Sequence, residues 1–117
     1  MVARWCVIIA GLALTAAGAL GDLSGRWEVH ADFDDRRIPG AAAHCVITQA
    51  GNRLTGRCEN ATLTGTVDGR NVSWRLTFRP NDVAVNFTGV LDDEDPVILG
   101  KFSYPGKGNG SFLAIKQ

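Results

Sequence analysis

Residues 44–58 read His44-Cys45-Val46-Ile47-Thr48-Gln49-Ala50-Gly51-Asn52-Arg53-Leu54-Thr55-Gly56-Arg57-Cys58. Gly51-Asn52 suits a two-residue hairpin loop, because both residues tolerate the positive φ that such turns demand. On either side apolar and polar residues alternate with period two, as in a half-buried strand. Counting outward from the loop, Ala50 faces Arg53, Gln49 faces Leu54, and Cys45 faces Cys58. Successive pairs alternate between hydrogen-bonded and non-hydrogen-bonded. The cysteines fall on a non-hydrogen-bonded pair, where side chains approach most closely. Turn chemistry and cysteine spacing are independent features, and together they predict a disulfide across this hairpin. Cys45, Ile47, Gln49, Leu54 and Gly56 share the inner face. His44, Thr48, Arg53, Thr55 and Arg57 share the outer one.

The same alternation runs outward through the chain. It predicts strands at Leu23–Ala31, Ala43–Gln49, Leu54–Glu59, Thr62–Val67, Asn71–Phe78, Val83–Leu91, Val97–Tyr104 and Ser111–Lys116, with no stretch of helical periodicity. Most connections are a few residues long, which requires antiparallel neighbours. A loop at Arg79–Asp82 sets Phe78 against Val83, Leu76 against Val85 and Trp74 against Phe87. A loop at Asp68–Asn71 sets Gly65 against Trp74, where a glycine leaves room for the indole. Apolar-x-Gly recurs inside the strands at Leu23-Ser24-Gly25, Leu54-Thr55-Gly56, Leu63-Thr64-Gly65, Phe87-Thr88-Gly89 and Ile98-Leu99-Gly100. Glycine within a strand weakens it unless the backbone must bend or pack closely, as at the corners of a closed barrel. An open sheet of eight strands would leave two long apolar edges. A two-sheet sandwich would show longer crossing connections. The expected fold is therefore all-β: an eight-stranded antiparallel up-and-down barrel.

Met1–Leu20 has the three parts of a secretory signal: a short start carrying Arg4, the apolar run Trp5–Leu14, and the small-x-small segment Ala17-Gly18-Ala19. The apolar run is short for a span of ~30 Å of hydrocarbon. The expected organisation is a signal peptide over 1–19, carrying Cys6, and one barrel domain over 20–117, exported to the periplasm or outside the cell. Cys45 and Cys58 are then the cysteines of the mature part, an even pair suited to an oxidising compartment. The whole chain has 12 basic and 12 acidic residues, so losing Arg4 leaves the mature part at net −1. Such a balance points away from nucleic acid and from anionic membrane surfaces as partners.

Leu23-Ser24-Gly25-Arg26-Trp27 resembles the Gly-x-Trp opening of calycin barrels, the lipocalins and avidins. The resemblance to avidins extends to Leu54-Thr55-Gly56-Arg57, Val72-Ser73-Trp74-Arg75 and Phe87-Thr88-Gly89, in the same order. It implies an avidin-like barrel in which Trp74 takes the position that stacks on the ligand. The polar groups that hold biotin in avidins do not carry over. Val29 stands where the first-strand asparagine is expected, Cys58 where the hairpin tyrosine is expected, and Gly110 where the last strand has Asn or Asp. Phe102 is the nearest aromatic to the tryptophan that avidins borrow from a neighbouring subunit. Without those groups the ureido moiety of biotin would be left unpaired in a buried site. The resemblance therefore implies the fold without biotin as ligand.

An eight-stranded barrel is either filled by side chains or holds one small ligand. Trp27, Trp74, Phe87 and Phe102 are the residues expected to line such a ligand site. The expected function is a non-enzymatic binding module for a small apolar or planar molecule. The alternative is a secreted interaction module or enzyme inhibitor that meets a protein partner through its loops, of which Asp32–Ala42 is the longest. No Ser, Thr or Cys stands in a nucleophile motif, and no cofactor is implied. His30 and His44 lack metal-motif spacing, and both are expected on the outer face. Asp92-Asp93-Glu94-Asp95 lacks the pattern of an EF-hand and reads as a solvated turn. Asn60, Asn71, Asn86 and Asn109 begin Asn-x-Ser/Thr triplets, as the alternation of Ser and Thr along strands produces by chance.

Overall fold

A computed structural model of the chain describes residues 22–92 and 94–117. The signal peptide read at 1–19, with Cys6, lies outside the described residues. The strands are β1 (Gly25–Phe33), β2 (Ala41–Ala50), β3 (Arg53–Cys58), β4 (Ala61–Asp68), β5 (Asn71–Phe78), β6 (Val83–Leu91), β7 (Val97–Tyr104) and β8 (Gly108–Lys116). Each pairs antiparallel with the next, and β8 closes onto β1 from Trp27↔Lys116 to Phe33↔Gly110. This is a closed up-and-down barrel with no free sheet edge, consistent with the calycin type of fold.

The hairpin arithmetic holds throughout. Cys45 pairs with Cys58 across β2 and β3. Their Cα atoms stand 4.0 Å apart and a disulfide joins them. Gly65 pairs with Trp74, and Trp74 in turn with Phe87. A Cβ at Gly65 would collide with the Ser73 carbonyl and come within 2.7 Å of the Trp74 Cβ, so Trp74 sits this close only because the side chain is absent. Several strand ends differ from expectation by one to three residues, most plainly in β1 and β8. β1 begins at Gly25 and runs on to Phe33, because Asp32 and Phe33 pair with Ser111 and Gly110 of β8. β8 begins at Gly108, three residues early, because Gly108, Asn109 and Gly110 pair with Tyr104, Ser103 and Phe102. Glycine-rich sequence signals a turn, and here tertiary pairing overrides it.

The two ends of the barrel differ. At one end lie the turns Gly51-Asn52 and Gly69-Arg70 and the connection from β6 to β7, and residues 22–24 fold across the opening. Leu23 is buried there. Its carbonyl accepts from Trp27 Nε1 at 2.9 Å, and its amide donates to Gln49 Oε1 at 2.7 Å. The Gln49 amide donates to Ser24 Oγ at 2.9 Å. Trp27, Ile47, Leu54, Leu63, Val72 and Ile98 complete a packed core. This is the closed end. The opposite end, the mouth, carries the segment 34–40, the turn Glu59-Asn60, the turn Arg79–Asp82 and the turn Pro105–Lys107.

Candidate ligand-binding cavity

At the mouth the lumen is not filled. A cavity of ≈ 180 Å³ opens there. Its shape follows from where the sequence puts small and large residues. The wall from β1 and β2 is built of Ala31 paired with Ala41 and of Val29 paired with Ala43. Elsewhere in the wall, β6 and β7 present Phe87 and Phe102. The small alanine side chains fall short of filling the barrel's width toward Leu76, Phe78, Val85, Phe87 and Phe102 of the remaining wall, and the gap is the cavity. The Cys45 side of the disulfide forms part of the wall.

The aromatic wall is itself tightly organised. Phe87 and Phe102 stack with centroids 5.6 Å apart and planes at 27°. Phe33 meets Phe102 edge-on at 5.1 Å, and Phe112 meets Phe87 edge-on at 5.1 Å. Offset and edge-on pairs of this kind hold rings in place beyond their area burial. These contacts set the orientation of the rings that face the cavity.

Two of the four residues expected to line a ligand site, Phe87 and Phe102, line this cavity. The other two do not. Trp27 is 1 % exposed and closes the far end. Trp74 stacks on Phe87 at 5.6 Å and meets Phe112 at 5.3 Å, away from the cavity lining. Its Nε1 is buried without a hydrogen-bond acceptor among the described residues. The lining residues that sequence reasoning missed include the alanines, Phe33, Tyr104 and Lys107. Ala41-Ala42-Ala43 was the available signal, since a run of alanines entering a barrel strand leaves space inside.

The segment 34–40 covers one side of the mouth, with Pro39 against the cavity. It is held by its own chemistry. Arg37 Nε and Nη2 donate to the two carboxylate oxygens of Asp35, each at 3.0 Å. The Arg37 amide also donates to Asp35 Oδ1 at 3.0 Å, and the Ile38 amide to the Asp35 carbonyl at 3.0 Å. The Arg37 guanidinium, and then its backbone N–H, hold the Asp35 carboxyl below its ordinary value. The Asp34 amide ties the segment to β8 through the Asn109 carbonyl at 2.9 Å.

The histidines face outward, as expected. His30 Nε2 lies 3.4 Å from Glu28 Oε1 on the surface of β1. The His44 amide donates to Glu59 Oε2 at 2.9 Å. Among the described residues no group of three His, Cys, Asp or Glu is placed to hold a metal ion. Asp92, Glu94 and Asp95 lie at the closed end, remote from the cavity. The chain matches no protein-family model, and no curated protein is similar to it in sequence.

Proposed function

We propose that this protein is an exported, non-enzymatic binding module whose barrel mouth holds one small, planar, apolar ligand. The observation that carries the reading is the cavity of ≈ 180 Å³ at the mouth of a barrel whose other end is filled by buried side chains. Apolar space left unfilled forfeits packing contacts along its lining. Replacing one wall alanine with a larger residue would remove much of it. Apolar space of this order accommodates a molecule the size of benzene. The stacked Phe87 and Phe102 rings offer a planar guest a planar surface. Export agrees with the disulfide and with the three-part character of residues 1–19.

The order of the Gly-x-Trp, Thr-Gly and Val-x-Trp motifs supports an avidin-like relationship for the barrel. Biotin is not the proposed ligand. Val29 and Cys58 are buried, apolar or disulfide-bonded, at positions where a ureido group needs polar partners.

Indole and benzyl alcohol, neutral and soluble, test the reading by two-dimensional NMR. The expected result is saturable shifts at Val29, Ala43, Val85 and Phe87. For ligands of this size the dissociation constant should be on the order of 0.1–1 mM. Absence of saturable shifts, or shifts confined to outward residues such as Val90 and Leu99, would refute it.

A further inference from the structure

From the charge at the mouth we infer that the ligand carries an anionic group, a carboxylate or its equivalent, beside its apolar body, and that Lys107 binds it. The inference rests on the proposed cavity site and adds the chemical class of its occupant. Among the residues lining the cavity, Lys107 is the one that carries a charge; the others are apolar, apart from the Tyr104 hydroxyl. No carboxylate lines the cavity. A lone cation at the edge of an apolar, low-dielectric space attracts an anion more strongly than it would in bulk water.

The position of Lys107 is set by the fold. Tyr104-Pro105-Gly106-Lys107 is a tight turn between β7 and β8, closed by the Lys107 amide donating to the Tyr104 carbonyl at 3.0 Å. Pro105 suits the second position of such a turn. Gly106, at φ +85°, suits the third, which a side chain would disfavour. The turn directs the lysine back over its own first residue, and Nζ lies 5.1 Å from the centre of the Tyr104 ring. That contact steadies the ammonium without neutralising it.

Arg37, Arg79 and Glu59 at the mouth each have a partner. Arg37 is forked onto Asp35. Arg79 approaches Asp82 at 4.0 Å. Glu59 accepts from the His44 amide on the outer face. Lys107 makes no ion pair among the described residues. Its ammonium therefore meets a ligand's anion without first leaving an intramolecular partner. The geometry fits an amphiphile in which an aromatic or short aliphatic body lies against Phe87 and Phe102 and the acid projects toward the rim.

The test uses matched pairs on the full mature protein: benzoate, phenylacetate and 3-phenylpropionate, each against its primary amide. Amide and acid share shape and differ in charge. At least one acid is expected to bind about 5-fold tighter than its amide, the ratio set by an exposed ion pair of ~1 kcal/mol. Raising the ionic strength should shrink the ratio. In Lys107→Met, which keeps the apolar stem, the ratio should fall to about 1, and Lys107→Arg should restore it. Acids and amides binding alike, or a preference that survives Lys107→Met, would overturn the inference while leaving the cavity site standing. If neither these compounds nor the neutral indole bind, the cavity reading fails and this inference falls with it.

Discussion

Ala43→Leu separates a binding cavity from an imperfectly packed core. Ala43 pairs with Val29 and lines the cavity of ≈ 180 Å³. Leucine adds three carbons, and at ~0.8 kcal/mol per buried methylene their full burial would contribute about 2.4 kcal/mol. The cavity opens to solvent at the mouth, so roughly half of this, ~1 kcal/mol, is the expected gain. In a domain of this size that raises Tm by about 4–8 °C. The same side chain occupies the space a planar ligand needs, so indole affinity should fall at least ~10-fold, or 1.4 kcal/mol. Urea unfolding reads the first effect as a higher midpoint at unchanged m-value. An NMR titration with indole reads the second. A loss of ~1–3 kcal/mol, the usual cost of overpacking, would show that there is no room beside Ala43. A stabilised variant that binds indole like the parent would show that the ligand sits elsewhere. Either result refutes the reasoning.

Further predictions follow from the disulfide, the indole and the mouth segment. Replacing both Cys45 and Cys58 with alanine opens a loop of sequence separation 13 and should cost about 3 kcal/mol in urea unfolding; a change under ~1 kcal/mol would mean the crosslink barely constrains the unfolded chain. Trp74→Phe removes a buried donor that lacks an acceptor, so the lost packing should be offset by ~1 kcal/mol or more, with net destabilisation below ~2 kcal/mol and less than ~2-fold change in indole affinity. A large loss of affinity would place Trp74 in the binding site. The lowered pKa of Asp35 means that its pairing with Arg37 favours the folded segment above the ordinary value of 3.8 and that this contribution is lost as pH falls through the lowered value. Amide-exchange protection at Arg37 and Ile38, corrected for intrinsic rates, should drop below about pH 3.8 while the strands stay protected. Asp35→Asn should remove that pH dependence. Protection that does not vary with pH would exclude the carboxylate as the segment's tether.

The barrel was legible because its information is local. Period-two alternation identifies strands, and a short turn sets the register of two neighbours, so Cys45 against Cys58 and Gly65 against Trp74 could be counted directly. Strand ends were less legible where long-range pairing decides them. Gly108-Asn109-Gly110 carries turn residues and is nonetheless a strand, since it fills the ladder between β7 and β1.

The candidate site divides along the same line. Period two assigned Trp27, Trp74, Phe87 and Phe102 to the inner face, and all four are buried. Alternation gives the face and says nothing of height along the barrel or of what stands across the lumen. Trp27 lies where residues 22–24 fold over the closed end, its indole donating to the Leu23 carbonyl. Ala31, Ala41 and Ala43 become a cavity wall only because the closed barrel sets β1 and β2 across the lumen from β5 and β6. Lys107 was a loop residue until the turn from Tyr104 brought its ammonium to the rim of that space. The sequence by itself determined the strands, their order, the disulfide and the inner face, all consequences of periodicity and turn chemistry between neighbours. Only the closed barrel decided which end is plugged, where the lumen stays open and which charge stands at its edge, because those depend on packing between strands far apart in the chain.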